Sequence, residues 1–377
     1  MPQNEVAIVA AYATQQGTFP TETGWSLGAQ AYKGILRESN IDRQQIDGLL
    51  TQLTQDGSGQ MAPARFGQMI GINPRVSGAL VYGSAAFTLA YAAGLIASGQ
   101  CGVVACVYGT NQRTSNYKFD RAYEPFGAPY GFINPAGFVG LSFQRYMHKF
   151  GRHNDRDKLA AIALNQRKNA SLNPIAIKKS PLTEEEYLKS RWIVWPLRRE
   201  DICMINDGAV CIVLADSEKA RELTDKPVRI LGIGRQDALH KITDDEHLLM
   251  PNLKMVAEQL RDKTGIQARD VDALYVQDAQ SPHILFALEG YGFCKDGEAL
   301  DFIQDGRISI QGDLPVNSNG GQLSEGYMVG WLHVVEIFKQ LRGEAADRQI
   351  PNCEIVQFCA TGGYREFAAS LIFSRSE

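Results

Sequence analysis

The sequence predicts an α/β protein built from one strand–helix unit used twice, with parallel or mixed sheets covered by helices. Three observations predict it. Residues 27–52, LGAQAYKGILRESNIDRQQIDGLLTQ, and residues 255–277, MVAEQLRDKTGIQARDVDALYVQ, share one order of features: a helix pattern, a polar break, a short strand. IDGLLTQ ending at Gln52 matches VDALYVQ ending at Gln277. Short apolar runs bounded by turn signals alternate with these helices, as buried strands require.

The elements follow in order. Each half opens on a strand, EVAIVAAY (5–12) and VRILGIG (228–234). After the repeated helix and strand, each half carries a turn with Gly or Ser and then a long helix, YGSAAFTLAYAAGLIASGQ (82–100) and EGYMVGWLHVVEIFKQLRGE (325–344). A strand follows each helix, CGVVACVYGT (101–110) and CEIVQFCATGG (353–363). Residues 111–200 interrupt the first half and are rich in Tyr, Phe, Pro, Asn, Arg and Lys. Long insertions of this kind commonly hold substrate sites and partner contacts. Inside it, DRDKLAAIALNQRKNASLNP predicts a helix from near Asp155 to the Asn173–Pro174 step. The expected division is therefore 1–110, an insertion over 111–200, completion of the first half over 201–225, and a second half over 226–377.

The chain has 377 residues, 44 % of them hydrophobic and 21 % charged, which excludes long disorder and low-complexity architectures. Its 38 basic and 42 acidic side chains leave a net charge of −4, so non-specific nucleic-acid binding is not expected. No window approaches the ~18 consecutive apolar residues of a membrane span. The opening MPQNEVAIVAAYATQ lacks the basic and apolar regions of a secretory leader. The seven cysteines, irregularly spaced and without CxxC, argue against a disulfide framework or structural zinc. A reduced, cytoplasmic, soluble protein without nucleic-acid or membrane partners is the expectation.

Four places can carry chemistry. LVYGSAAFT (80–88) is a strand–turn–helix; Tyr82 and Ser84 are its reactive side chains, or else Tyr82 packs and Ser84 caps the helix. PVNSNGGQLSEGYMVG (315–330) is an irregular polar loop whose glycines allow close backbone approach, or a plain helix start capped by Ser324 or Glu325. FCATGGY (358–364) puts Cys359 at a strand end before two glycines, as a reactive thiol or as a small buried hydrophobe. YVQDAQSPH (275–283) places Tyr275 and Gln277 on one face of a strand, and His283 reads as structural. Without a His pair flanking a Glu, a GxxxxGK[ST] run or a third glycine after 232 and 234, no metal, nucleotide or dinucleotide site is expected.

Over nearly its whole length the chain resembles the thiolase superfamily, and within it the sterol-carrier-type thiolases and the thiolase-like aldolases that shorten steroid side chains. The resemblance is carried by NQRKNASLNP (165–174), PLRREDICMINDGAVCIVLAD (196–216), LEGYGFCKDGE (288–298), LPVNSNGGQLSEGY (314–327) and the duplicated halves. It implies a five-layer αβαβα fold, usually dimeric, and a CoA-thioester substrate, with no bound cofactor beyond the CoA of that thioester and no metal. Where a thiolase has its nucleophilic Cys, this chain has Tyr82. Its Gly-His-Pro step is Gly326-Tyr327-Met328 here, and its acid/base Cys falls on Cys359, with Thr361 in place of the following Gly. A phenol ionises near ~10 and a thiol near ~8.5, so no acyl-enzyme on Tyr82 is expected.

Gly-Tyr in SEGY is similar to the steroid aldolases, whose second tyrosine falls here on Gln277, before Asp278; Tyr275 and Tyr82 are the nearby phenols. The implied reaction is retro-aldol cleavage of a β-hydroxyacyl-CoA. Tyr327 is the base or relay for the hydroxyl proton, with its own proton lost or passed onward, Cys359 protonates the enolate carbon, Tyr82 assists, and Ser84, Gln277, Asp278, Asn319 and backbone N–H groups at Gly320, Gly321, Gly362 and Gly363 bind the substrate. The resemblance also implies a homodimer and a small OB-fold partner subunit forming a heterotetramer. Two other readings stand beside it: an acyltransferase using Cys359, and a non-catalytic CoA-ester-binding or scaffold subunit.

Overall fold

The structure is a computed structural model that describes residues 5–53, 62–80, 84–117, 128–130, 133–237, 248–361 and 367–376. The first half runs β1 (Val6–Ala13), α1 (Gly24–Glu38), β2 (Gly48–Leu53), α2 (Pro63–Ile70), β3 (Val76–Ala79), α3 (Ala85–Ala97) and β4 (Val103–Thr110). The insertion follows, with α4 (Pro135–Lys149), α5 (Ala160–Ser171), α6 (Glu184–Lys189) and a hairpin of β5 (Trp192–Val194) and β6 (Leu197–Arg198). β7 (Gly208–Asp216) and α7 (Ser217–Leu223) complete the first half. The second half comprises β8 (Val228–Asp237), α8 (Asn252–Thr264), β9 (Ala273–Val276), α9 (Pro282–Gly290), α10 (Ala299–Phe302), α11 (Gly321–Ser324), α12 (Trp331–Arg342), β10 (Ile355–Thr361) and β11 (Phe367–Arg375).

Strand order shows the duplication directly. The first half is ordered β3-β2-β4-β7-β1, with β2 parallel to β3 and β4, and with β7 antiparallel to β4 and β1. The second half repeats it as Val316-β9-β10-β11-β8: Val316 bridges Leu274 in parallel, β9 is parallel to β10, and β11 is antiparallel to β10 and β8. The strand that corresponds to β3 is thus reduced to one bridge. The two halves also join where Ala7 and Ile8 of β1 meet Arg229 and Val228 of β8, so the sheet is continuous over nine strands.

Five layers result. Alternate residues of β1, β4 and β7, such as Val6, Cys106 and Ile212, share a core with Phe358, Leu371 and Phe373 of the second half, and α3 and α12 fill the space between. α3, AAFTLAYAAGLIA, has almost no polar residue because it is covered on both sides. The opposite faces carry α1 and α7 on the first half, and α8, α9 and the insertion's α4 and α5 on the second. α1 shows the sequence logic of an outer helix: a Thr23/Ser26 capping box starts it, and Trp25, Leu27, Ala31, Tyr32 and Ile35 form its buried stripe. Among the described residues no helix is long and apolar enough to cross a membrane.

Candidate active site

The loop between Val316 and α12 is where the three parts of the chain meet. Asn317, in the left-handed region at φ 49°, turns its amide on β9: Oδ1 accepts from Val276 N at 2.7 Å and Nδ2 donates to Val276 O at 3.0 Å. The side chain thereby stands in for a strand neighbour. Gly320 (φ 104°) and Gly321 (φ 62°) then carry the chain past Asp278 and α5. A Cβ on Gly321 would lie 2.2 Å from Asp278 Oδ2 and 2.8 Å from Gln166 Oε1, so no larger residue fits. Asp278 Oδ1 accepts from Gln322 N (2.7 Å), and Gln322 Oε1 accepts from Gly330 N (3.1 Å), closing the loop on itself. α12 starts at Gly330 (φ 82°) without a side-chain cap, so neither Ser324 nor Glu325 caps it.

The insertion and the segment that leads from it into β7 hold the same loop from above. Asn206 Oδ1 accepts from Tyr327 N at 2.6 Å, and its Nδ2 donates to Gln16 Oε1 (2.9 Å) and lies 3.6 Å from Met328 Sδ. Asn173 Nδ2 donates to Glu325 Oε1 (2.7 Å) and Asn319 O (2.9 Å). Ile177 N and Lys178 N donate to Glu325 O and Ser324 O, both at 3.0 Å. From the first half, Ala85 N donates to Val329 O at 3.1 Å, which brings the start of α3 against the loop two residues beyond Tyr327. Residues 321–326 are all buried, and Tyr327 is half-buried.

Electrostatics here are dominated by burial. Glu325 is pushed up to about 8, chiefly by loss of solvent, with the Glu336 charge adding and the Asn173 amide opposing. Asp201 is pushed up to about 6 by burial, against the donors Arg198 N, Ser281 and Tyr187. Near the strap over the loop, burial lowers Lys178 against the opposing charge of Glu200. Glu200 itself stays below the usual carboxylate value, because Lys178, Arg167 and Arg199 outweigh its burial.

The expected site residues divide into those brought together and those not. Gln277, Asp278, Asn319, Gly320, Gly321 and Tyr327 converge on this loop. Gln277 and Asp278 are buried, and Gln277 Oε1 and Asp278 Oδ2 have no protein partner among the described residues. The N–H groups of Gly320 and Gly321 do not point outward as donors: they bond Asn317 O (2.9 Å) and Asn319 Oδ1 (3.4 Å), so these glycines supply shape. Ser84 is fully buried and its hydroxyl accepts from Ala86 N at 3.2 Å, the capping alternative. Tyr82, Gly362 and Gly363 lie outside the described residues. Tyr275 faces the middle layer, fully buried, with its hydroxyl 2.6 Å from Ser318 Oγ, which donates to Glu336; that phenol is committed to the core.

Cys359 corrects an expectation. Phe358 and Ala360 face the central helices, and the alternation of β10 turns Cys359 the other way, into the core beneath the outer helices. Its Sγ lies 3.6 Å from Ser370 Oγ, and burial pushes the thiol up to about 12 against hydrogen bonds from Ser370, Tyr291 and Gln357. A thiol so placed is neither a ready nucleophile nor a neutral-pH acid/base. His283, lowered to about 4 by burial, bonds Gln280 through Nδ1. Asn173, Asn206, Gln166 and His333 belong to the site and were not singled out by sequence. The Asn173–Pro174 step and the Asn206-Asp207-Gly208 run were their visible signals.

Residues 234–375 match the thiolase C-terminal domain-like family. The chain is 32 % identical, over 92 % of its length and 94 % of the other, to 17-hydroxy-3-oxo-4-pregnene-20-carboxyl-CoA lyase of Mycobacterium tuberculosis. The chain belongs to the thiolase superfamily. Within the superfamily it is also 29 % identical to the steroid side-chain-cleaving aldolase of Thermomonospora curvata, covering 94 % of this chain and 95 % of that one. A solved Ltp2-ChsH2(DUF35) aldolase superposes with a TM-score of 0.89 at 29 % identity, over 98 % of both chains. Human mitochondrial 3-ketoacyl-CoA thiolase shares the fold, with a TM-score of 0.74 at 16 % identity over the full length of both. This superfamily member is thus an α/β protein of the aldolase-type lyase branch.

Proposed function

We propose that this chain cleaves a carbon–carbon bond in a β-hydroxyacyl-CoA by retro-aldol chemistry, with Tyr327 handling the hydroxyl proton and nothing covalently held on sulfur. The observation that carries the reading is the placement of Tyr327. It is a half-buried tyrosine fixed through its backbone by Asn206, on a loop held by both halves and the insertion, while Cys359 is turned away into the outer core. Tyr327, acting as the phenolate, accepts the β-hydroxyl proton as the bond between the α- and β-carbons breaks. The β-carbon leaves as a ketone or aldehyde, and the bonding pair goes to the α-carbon as the enolate of a shortened acyl-CoA. The proton taken up by Tyr327 then passes to that carbon, directly or by exchange with solvent, which restores the phenolate and completes the step. The start of α3, whose Ala85 N bonds Val329 O, supports placing donors to the enolate oxygen on that side of the loop.

The steroid CoA lyases and aldolases it resembles support a bulky polycyclic side-chain ester as substrate, with CoA entering only as part of the thioester. β3 is an edge strand, and beside it lies a groove of about 790 Å³ lined by Val76, Leu80, Phe87, Tyr91 and Phe367; a second copy of the chain is the occupant proposed for it. A small OB-fold protein is proposed as a further subunit, on the likeness to an aldolase solved with a DUF35 partner. The reading is tested by incubating the purified protein, with any copurifying subunit, with β-hydroxyacyl-CoAs of steroid side chains. Mass spectrometry should find a carbonyl product and a shortened acyl-CoA in equal amounts. A protein-bound acyl group formed at the turnover rate would refute it.

A further inference from the structure

His333 plays no part in the proposed bond-breaking, yet it sits inside the network that shapes the Tyr327 loop. It lies on the first turn of α12, 1 % exposed. Its Nε2 is 3.3 Å from Asp278 Oδ1, and its Nδ1 is 3.1 Å from Asn319 Nδ2. The Tyr275 and Phe358 rings flank the imidazole, each with its centroid 6.0 Å away.

The tautomer is assigned from the neighbouring bonds. Asn319 Nδ2 also donates to Glu325 Oε2, and Glu325 Oε1 accepts from Asn173. Asn319 Nδ2 has one N–H for Glu325 and one for His333 Nδ1, which also lies 3.3 Å from Asn319 Oδ1; with Nδ1 assigned as acceptor the proton sits on Nε2, 3.3 Å from Asp278 Oδ1 in a close polar contact without hydrogen-bond geometry. The result is a buried row of polar side chains, Asp278, His333, Asn319 and Glu325, under the whole loop, hydrogen-bonded from His333 to Glu325 and in close contact between His333 and Asp278. At one end Asp278 also holds Gln322 N, and at the other Glu325 is two residues from Tyr327.

We propose that His333 is a positioning residue for Tyr327, a strut between Asp278 and Asn319 that sets where the loop holds the phenol. The inference rests on the role of Tyr327 given above. Its geometry makes a specific demand on replacements. Nε2 is the atom that reaches Asp278; a glutamine at 333 puts an amide N–H at that reach, and an asparagine falls short of it. A positioning role through one side chain also requires that its loss add little once that side chain's function is gone.

The test is turnover by the full chain, with any copurifying subunit, of the wild type, His333→Gln, His333→Asn and Tyr327→Phe, and of His333→Asn combined with Tyr327→Phe. A displacement near 1 Å costs up to ~10²-fold, so His333→Asn should lower kcat by about 10–100-fold. KM should hardly move. His333→Gln should recover most of the rate, and the double variant should be no slower than Tyr327→Phe alone. Equal losses for Gln and Asn, or full additivity with Tyr327→Phe, would overturn the positioning role and leave the function intact. If neither single variant yields folded protein, His333 acts on the fold and the proposal fails. A Tyr327→Phe protein as fast as the wild type would instead sink the proposed function.

Discussion

Tyr327 N donates to Asn206 Oδ1 across 2.6 Å, so the segment leading from the insertion into β7 sets the backbone position of the second half's half-buried tyrosine. The two residues are 121 positions apart in sequence. Asn206 also holds Gln16 of the first half, so three segments meet on one amide. Replacing Asn206 by Leu should leave Tyr327 N and Gln16 Oε1 unpaired, and each lost partner of a buried group costs about 1–3 kcal/mol. Thermal unfolding should shift down by several degrees, and kcat should fall while the protein remains folded. Wild-type kcat in Asn206→Leu would show that this bond does not position the phenol.

Glu325 makes stability pH-dependent. Its folded-state pKa is raised to about 8, above the ordinary carboxylate value, so the folded protein binds a proton that the unfolded chain releases. The sign follows: its stabilising contribution is fully present below the unfolded pKa of ~4.3 and is lost as pH rises through about 8. The melting temperature should therefore decline from pH 5 to pH 8.5 more steeply in the wild type than in Glu325→Gln. Equal slopes in the two proteins would contradict this.

Cys359 should be chemically quiet. With its thiol raised to about 12 and buried beside Ser370, it should resist iodoacetamide at pH 7.5 while the protein is folded. Cys359→Ala should keep turnover near the wild-type rate. Alkylation of Cys359 that tracks loss of activity would reinstate it as a catalytic thiol.

Gly321 should not tolerate a side chain. Alanine there combines φ 62° with a Cβ 2.2 Å from Asp278 Oδ2. Left-handed strain alone is worth of order 1–3 kcal/mol, before the contact with the carboxylate. Gly321→Ala should lose both stability and activity. A stable, fully active Gly321→Ala would mean that the loop does not run this close to Asp278.

Much of the fold was legible because a duplicated pattern reports itself twice. The matching IDGLLTQ and VDALYVQ segments are β2 and β9, and both pair in parallel with the strand after their central helix. What the pattern hid is where the two copies differ. The second half's third strand shrinks to Val316 because Asn317 and the glycines must begin the loop there. The direction of Cys359 was not readable, since an apolar run buried on both faces does not say which alternate residues meet the central helices; Phe358 and Ala360 take that side and Cys359 the other. His333 read as one polar residue in an apolar helix, although its partners lie 55 and 14 positions away, at Asp278 and Asn319. Side chains that act by tying remote segments together carry no local period, which is why Asn173, Asn206 and His333 appeared only with the fold.

Single-turnover cleavage of a β-hydroxyacyl-CoA by wild type and Tyr327→Phe, compared at equal folded concentration, is the most direct measurement. Loss of an acid/base group of this kind slows the step by ~10²–10⁴-fold, and a drop of that size is expected with the carbonyl and shortened acyl-CoA still formed in step. Cleavage by Tyr327→Phe at the wild-type rate would contradict the assignment of the phenol.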